Sequence, residues 1–399
     1  MKSTQKLTAI AALVLSLLHF SACKDRDKDP NAELKTAVIQ QFSAIASANY
    51  EDCYTSAAAL RGAIDDFVAN PSSVTHQAAK DAWLEARESY GQTEAYRFGD
   101  GPIDDADGPE GLINAWPLDE NYIDYMDGQP DAGIVNDTTI ALSAAALEAM
   151  NETGGEENIS VGFHAIEFLL WGQDDVNTAL LTAGQRPYTD YVTGSGGTAS
   201  HQDRRGLVLK FCATQLEAHL RDLRDAWASG STSNYRHTFE SLDNDEALRR
   251  IFTGIGVLSK SELAGERIFT ALDNQSQEDE HSCFSDNTHR DIILNFLGIR
   301  NVYRGSYSRP DGSVVAGASL SELADEYDAD LNASIEALLN TITTQVNSIP
   351  VPFDNALTQE QVGGNGPIQS TVNSLQALGD KFAEIAGKMD ITISTALPE

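Results

Sequence analysis

The sequence predicts an all-α protein: an antiparallel helical bundle in two halves, with a functional site between them. Three observations carry this expectation. Apolar residues recur at helical spacing over most of the chain. The intervals between those stretches are dense in Gly, Pro, Asp and Asn, which interrupt helices. No alternating run is paired with a hairpin turn, so nothing argues for a strand ladder. Helices joined by loops, without strands, bury their apolar stripes by packing on each other as bundles.

The elements follow in order. Residues 33–70, rich in Ala, Leu and Ile, read as one long or two short helices, broken by Asn70-Pro71-Ser72-Ser73. Residues 75–97 form a second helix. Residues 99–136 hold many Gly, Pro and Asp and few apolar residues. So long an irregular segment is usually functional or disordered, and the anchors Trp116-Pro117-Leu118-Asp119 and Tyr122 to Tyr125 favour an ordered one. Residues 138–150 are helical and 151–157 turn. Residues 160–171 form a short apolar helix, with Ser160 or Asn158 as its cap and Gly172 as its stop. Residues 183–200 make a loop through Gly194-Ser195-Gly196-Gly197, and a division between the halves is expected near 180–200. Helical spacing returns over 201–227, 246–272, 288–304, 321–347 and 368–388.

The N-terminus reads as a targeting signal. Lys2 and Lys6 precede an apolar run over 7–20, too short to span a bilayer comfortably. Phe20-Ser21-Ala22-Cys23 resembles a bacterial lipobox, which implies removal of residues 1–22 and a lipid on Cys23. An ordinary secretory signal is the alternative. Residues 23–33 are charged and read as a tether. No later run is apolar for long enough to cross a membrane, so the chain is expected to be anchored to one through Cys23. Lys24 stands where an inner-membrane retention signal has Asp. The expected location is therefore the cell envelope, at the outer membrane, facing the periplasm or the exterior.

Charge narrows the partners. The net charge is −33, and the first 22 residues carry two lysines and no acid, so the remainder is more acidic still. Such a surface disfavours nucleic acid and anionic bilayers, and it attracts cations in general. Cys53, Cys212 and Cys283 show no CxxC spacing, which argues against a zinc–thiolate site. Cys212, in an apolar helical stretch, reads as core.

The sharpest chemical feature is Gly162-Phe163-His164-Ala165-Ile166-Glu167. Helix positions three apart share a face, so His164 and Glu167 can point at one spot, with Trp171 on the same side. Phe163, Ile166 and Leu170 line the adjacent face and hold the helix in the core. A titratable pair in so apolar a segment needs a partner. It is either a buried hydrogen bond or a mixed N/O ligand set for iron or zinc. The spacing is neither HExxH nor its inverse, because Phe168 follows Glu167. Trp83, Arg87, Tyr90, Glu94 and Arg97 fall within a narrow arc of one helix. That arc is either a solvated ion-pair face or a polar face that meets the His164 helix and orients its ligands. Ser285-Asp286-Asn287-Thr288 reads first as a helix start, and His289 is a candidate third ligand. Glu278 and His281 have the ExxH spacing of di-iron bundles, but once only and in an acidic loop. No phosphate loop and no GxSxG elbow is present.

Gly162-x-His164-x-x-Glu167 resembles the GxHxxE signature of imelysin-like proteins. Trp83-Leu84-Glu85-Ala86-Arg87 with Tyr90, Glu94 and Arg97-Phe98-Gly99 resembles that family's first conserved helix. Ala115-Trp116-Pro117-Leu118-Asp119 resembles its following loop, and Glu280 to Asp291 its later polar loop, except at Cys283, where a small residue or proline is expected. The resemblance runs over residues 34–388. It implies a metal at His164 and Glu167, with Trp83, Arg87, Glu94, Trp116, Ser285, Asp286 and His289 as further site candidates. The family is filed among metallopeptidases and includes iron-regulated proteins and part of an iron-uptake system. A catalytic zinc needs three protein ligands and a base, and the sequence offers two ligands. The expected function is therefore metal binding, in iron acquisition with uptake components as partners. A metallopeptidase and a small-ligand binding protein, with His164 and Arg87 as anchors, are the alternatives.

Overall fold

The computed structural model describes residues 29–174 and 182–398. The expected signal peptide, Cys23 and most of the expected tether lie outside the described residues.

Helix α1 (Ala32–Ala69) is one continuous helix, burying Phe42, Tyr50, Leu60 and Phe67 along one side. Helix α2 (Ser73–Thr93) opens on a capping box, in which Ser72 and Thr75 satisfy each other's backbone N–H. It runs into a single tighter turn, Glu94–Tyr96. The segment 99–136 is ordered, as its anchors suggested. Short helices at Glu110–Ile113, Glu120–Ile123 and Gly133–Asn136 punctuate it, and the Tyr122 hydroxyl donates to the Met150 carbonyl at 2.7 Å.

Helix α3 (Gly162–Trp171) is buried at every position. Its expected cap is not formed. Val161 occupies the cap position, the Ser160 hydroxyl donates to the Leu147 carbonyl at 2.7 Å, and Asn158 Nδ2 donates to the Thr153 carbonyl. Both side chains serve the preceding turn, because this helix starts inside the protein rather than at its surface. Gly172, with φ 75°, stops it as expected. Helix α4 (Gln202–Trp227) packs on α1 and α3, and α1, α2, α3 and α4 form one group. Cys212 lies in its buried face, with its thiol against the Ser160 carbonyl.

The second group is α5 (Asn244–Val257), α6 (Thr288–Arg304), α7 (Leu320–Val346) and α9 (Pro367–Lys388), with the short α8 (Phe353–Gln359) preceding α9. Helix α5 continues into a π-helical stretch, Leu258–Phe269, and then into Thr270–Asn274. Helix α7 is kinked at Asp328 (φ −159°). Because α4 belongs to the first group, the 183–200 loop is an excursion within that group. The passage between groups comes after Trp227, later in the chain than residues 180–200. Helices α2 and α6 hold the groups together. They approach so closely that a Cβ on Gly298 would stand 2.3 Å from the Gln92 carbonyl oxygen. One hairpin departs from the all-helical expectation, Ser306–Ser308 paired with Val314–Ala316. Its signal was Asp311-Gly312, with Gly312 at φ 84°.

Candidate metal centre

The centre lies where α2, α3, α6 and the 275–287 loop meet. Gly162 makes the entry possible. Its φ is 88°, and a Cβ there would stand 2.7 Å from the Ile113 carbonyl oxygen. The chain can therefore press against the Glu110–Ile113 turn and deliver His164 to the interior. Trp83 Nε1 donates to the Phe163 carbonyl at 2.9 Å, and the Arg87 guanidinium lies 4.9 Å from the Phe163 ring centre. The Trp83–Arg87–Tyr90–Glu94 arc thus meets the His164 helix and is not a solvated face, since all four residues are buried.

His164 is 1 % exposed, and its Nδ1 shares a 2.9 Å hydrogen bond with Glu167 Oε2. Glu167 Oε1 accepts from the Ser285 amide at 2.9 Å and the Ser285 hydroxyl at 2.6 Å. His164 Nε2 is buried and has no hydrogen-bond partner. The ring packed on it edge to face is that of His281, 1 % exposed, at a centroid distance of 4.8 Å. His281 repeats the pattern: its Nδ1 lies 2.9 Å from Asp291 Oδ2. Asp291 also accepts from the Ser282 hydroxyl at 2.5 Å and from Arg87 Nη2 at 3.0 Å. Arg87 Nη1 donates to Asn114 Oδ1 at 2.6 Å, and Asn114 Nδ2 donates to Glu94 Oε1 at 3.2 Å. Glu94 Oε2 receives Arg267 at 2.9 Å and Arg97 at 3.2 Å.

Burial dominates the electrostatics here. It lowers both imidazoles to about 3, helped by Arg87 at His164 and by Arg267 at His281. Both rings are therefore neutral at neutral pH, the form that binds metal. Burial raises Glu167 to about 8 against the pull of Ser285. Burial also acts upward on Glu94 and Asp291, but arginines win at both: Arg267 and Arg97 hold Glu94 at about 2, and Arg87 with His281 keeps Asp291 well below the carboxylate range.

Other expected residues fall as follows. Trp116 lies edge-on to His281 at 5.6 Å and donates through Nε1 to the Glu280 carbonyl. Ser285 is not a helix cap; it serves Glu167. Asn287 occupies the α6 cap position without a side-chain bond. Asp286, at φ 56°, belongs to the turn before α6. His289 bonds back to the Asp286 carbonyl, partly exposed, and the imidazole packed on His164 is His281 in its place. Asn114 and Arg267 were missed, Asp291 was noted only as the end of a resembling stretch, and His281 was set aside. The ExxH spacing was the one signal for His281, and its residence in a loop hid which way it points. Among the described residues, no three His, Cys, Asp or Glu side chains are grouped so as to hold a metal. The fit to a metal therefore rests on the unpartnered His164 Nε2 and the neighbouring His281 ring. A cleft of about 450 Å³, lined by Arg97, Glu110, Trp116, Glu262, Arg267 and His281, borders the centre.

Residues 46–382 match the family model described as Imelysin, of the M75 peptidase class. The chain belongs to the imelysin family. Among imelysin relatives it is 25% identical to iron-regulated protein A of Synechococcus elongatus over 370 residues, covering 90% of this chain and 87% of that one. The imelysin fold is also seen in solved structures. A protein described as an iron-regulated protein A precursor, from Parabacteroides distasonis, superposes with a TM-score of 0.67 at 20% identity, covering 91% of this chain and 97% of the other. An imelysin-like protein from Psychrobacter arcticum gives 0.63 at 14% identity, covering 91% and 98%.

Proposed function

We propose that this imelysin-family chain is an exported lipoprotein that binds a metal ion, iron before zinc, in iron acquisition, and that the ion engages the Nε2 atoms of His164 and His281. The observation that carries this is the unpartnered Nε2 of His164 beside a second neutral imidazole. Each ring is held through Nδ1 by a carboxylate, Glu167 or Asp291. A carboxylate on the far nitrogen orients a metal-binding histidine and raises its basicity. In this reading Glu167 positions His164, since Ser285 and His164 already occupy both its oxygens. A bound ion would supply Lewis acidity, or a redox couple if it is iron.

Two imidazoles make a weaker site than the three-ligand centre of a hydrolytic zinc enzyme. That favours capture and release over peptide hydrolysis. The name of the Synechococcus relative, iron-regulated protein A, supports a role in iron handling. The lipid anchor at Cys23 and an outer-membrane location belong to the same proposal.

The test is titration of iron(II), iron(III) and zinc into the chain from residue 31 onward, alongside His164→Ala and His281→Ala. One equivalent bound by the wild type and lost in both variants is the expected result. Binding that survives both substitutions would overturn the assignment. Transcript levels rising under iron starvation would support uptake; chelator-sensitive peptidase activity lost in His164→Ala would favour hydrolysis.

A further inference from the structure

A second buried acidic site borders the Gln275–Glu278 turn, which leads into the loop that carries His281. Asp354, in the first turn of α8, is 5 % exposed, and neither of its carboxylate oxygens has a hydrogen-bond partner. It lines a pocket of about 430 Å³ together with the Gln275–Glu278 turn, Leu357 and Thr358. Glu280, 2 % exposed, also has an unpartnered oxygen, Oε1. Of the charges around Glu280, that of Asp354 acts on it most strongly. Among the described residues neither carboxylate forms an ion pair, whereas the buried Glu94, Asp124 and Asp291 are each paired with arginine.

Two buried carboxylates without a cation are costly. An ionised carboxylate left unpaired in a protein interior costs several kcal/mol, on the order of the penalty that makes such groups take a counter-ion or a proton. The lining offers oxygen donors: Asp354, Glu278, the hydroxyls of Ser276 and Thr358, and the amide oxygens of Gln275 and Gln277. It contains no histidine. Oxygen-only surroundings select hard cations, and a roomy, irregular set suits calcium better than magnesium, which demands a tight octahedron.

We propose that Asp354 holds a calcium-class divalent cation in this pocket, with the charge of Glu280 acting on it from behind the lining and with neutral oxygens and water completing the shell. The two carboxylates fall short of a three-carboxylate cage, so the site is one of modest affinity. His281 follows Glu280 directly, and Trp116 Nε1 is bonded to the Glu280 carbonyl. A cation here would therefore brace the loop that presents His281.

The experiment is calorimetric titration of calcium, and separately magnesium, into the chelator-treated full chain, at about 0.15 M salt so that exposed acids are screened. Asp354→Asn and His164→Ala are titrated in parallel, and thermal unfolding is followed with and without calcium. The proposal expects one saturable calcium site in the wild type, at least tenfold weaker in Asp354→Asn and unchanged in His164→Ala. It also expects calcium to raise the wild-type unfolding midpoint. Asp354→Asn should start at or above the calcium-free wild type, having lost an uncompensated charge, and should no longer respond. No saturable calcium binding, equal binding in Asp354→Asn, or binding abolished by His164→Ala would each overturn it. Loss of iron or zinc binding in His164→Ala with calcium binding intact separates this site from the one proposed above.

Discussion

A carboxylate that already accepts two hydrogen bonds from Ser285 and shares one with an imidazole has little left to offer a metal. Glu167 is therefore expected to act through His164. Glu167→Gln should weaken metal binding by about 10–100-fold, the usual cost of losing such a partner, whereas His164→Ala should remove it. Competition titration of the two variants reads the difference. Proton linkage gives a second signature. Glu167 must be ionised to accept from His164 Nδ1–H, and burial holds it at about 8, so affinity should rise with pH through that region. Stability carries the opposite limb. His164 and His281 are lowered to about 3 from about 6.5 in the unfolded chain. The unfolded state then binds the extra protons, so their contribution is complete above pH ~6.5 and is lost as pH falls toward ~3. Urea titrations at stepped pH should show this limb, and His281→Asn should make it shallower. The His164–Glu167 pairing was legible, because a three-residue spacing on a helix fixes a shared face. His281 was not, because nothing local orients a loop side chain.

Helices carry the site's geometry, and two of them break local rules to do so. Helix α3 begins on Gly162 at positive φ against the Ile113 carbonyl. Gly162→Ala should destabilise the fold by about 1–3 kcal/mol through strain and the clash, visible as a lower urea midpoint. The second is the π-helical stretch Leu258–Phe269. Its apolar spacing reads as ordinary helix, and the sequence pattern does not separate the two. In an α-helix positions five apart point away from each other. The wider π turn brings Glu262 and Arg267 together, with Nε to Oε1 at 3.0 Å, and aims Arg267 at Glu94 and Asn295. Such bulges recur at functional sites. Arg267→Ala leaves Glu94 buried with Arg97 as its remaining ion-pair partner, and should cost about 3–5 kcal/mol, measured by chemical denaturation. The caps were the least legible elements: Ser160 and Ser285 look like caps, but each is claimed by a tertiary partner.

At the scale of the molecule, helical period was enough to give the class and most helix positions. Grouping was not legible. Loop 183–200 looks like a boundary, yet α4 returns to α1, because burial of its Val208–Leu209–Leu216 face decides where a helix packs. Charge sets another whole-molecule property. At −33 the folded chain repels itself, and screening shortens that repulsion to about 10 Å at 0.1 M salt. The unfolding temperature should therefore rise between low and moderate sodium chloride, and a flat or falling response would mean that local ion pairs outweigh the net charge.

The central claim is that a metal meets two imidazole nitrogens, with Glu167 behind one of them. X-ray absorption of the zinc- or iron-loaded chain tests it most directly. The account predicts scattering from two imidazoles and from light-atom oxygens, without sulfur, in the wild type, and no retained metal to give that signal in His281→Ala. A spectrum without imidazole scattering, or one unchanged in His281→Ala, would contradict it.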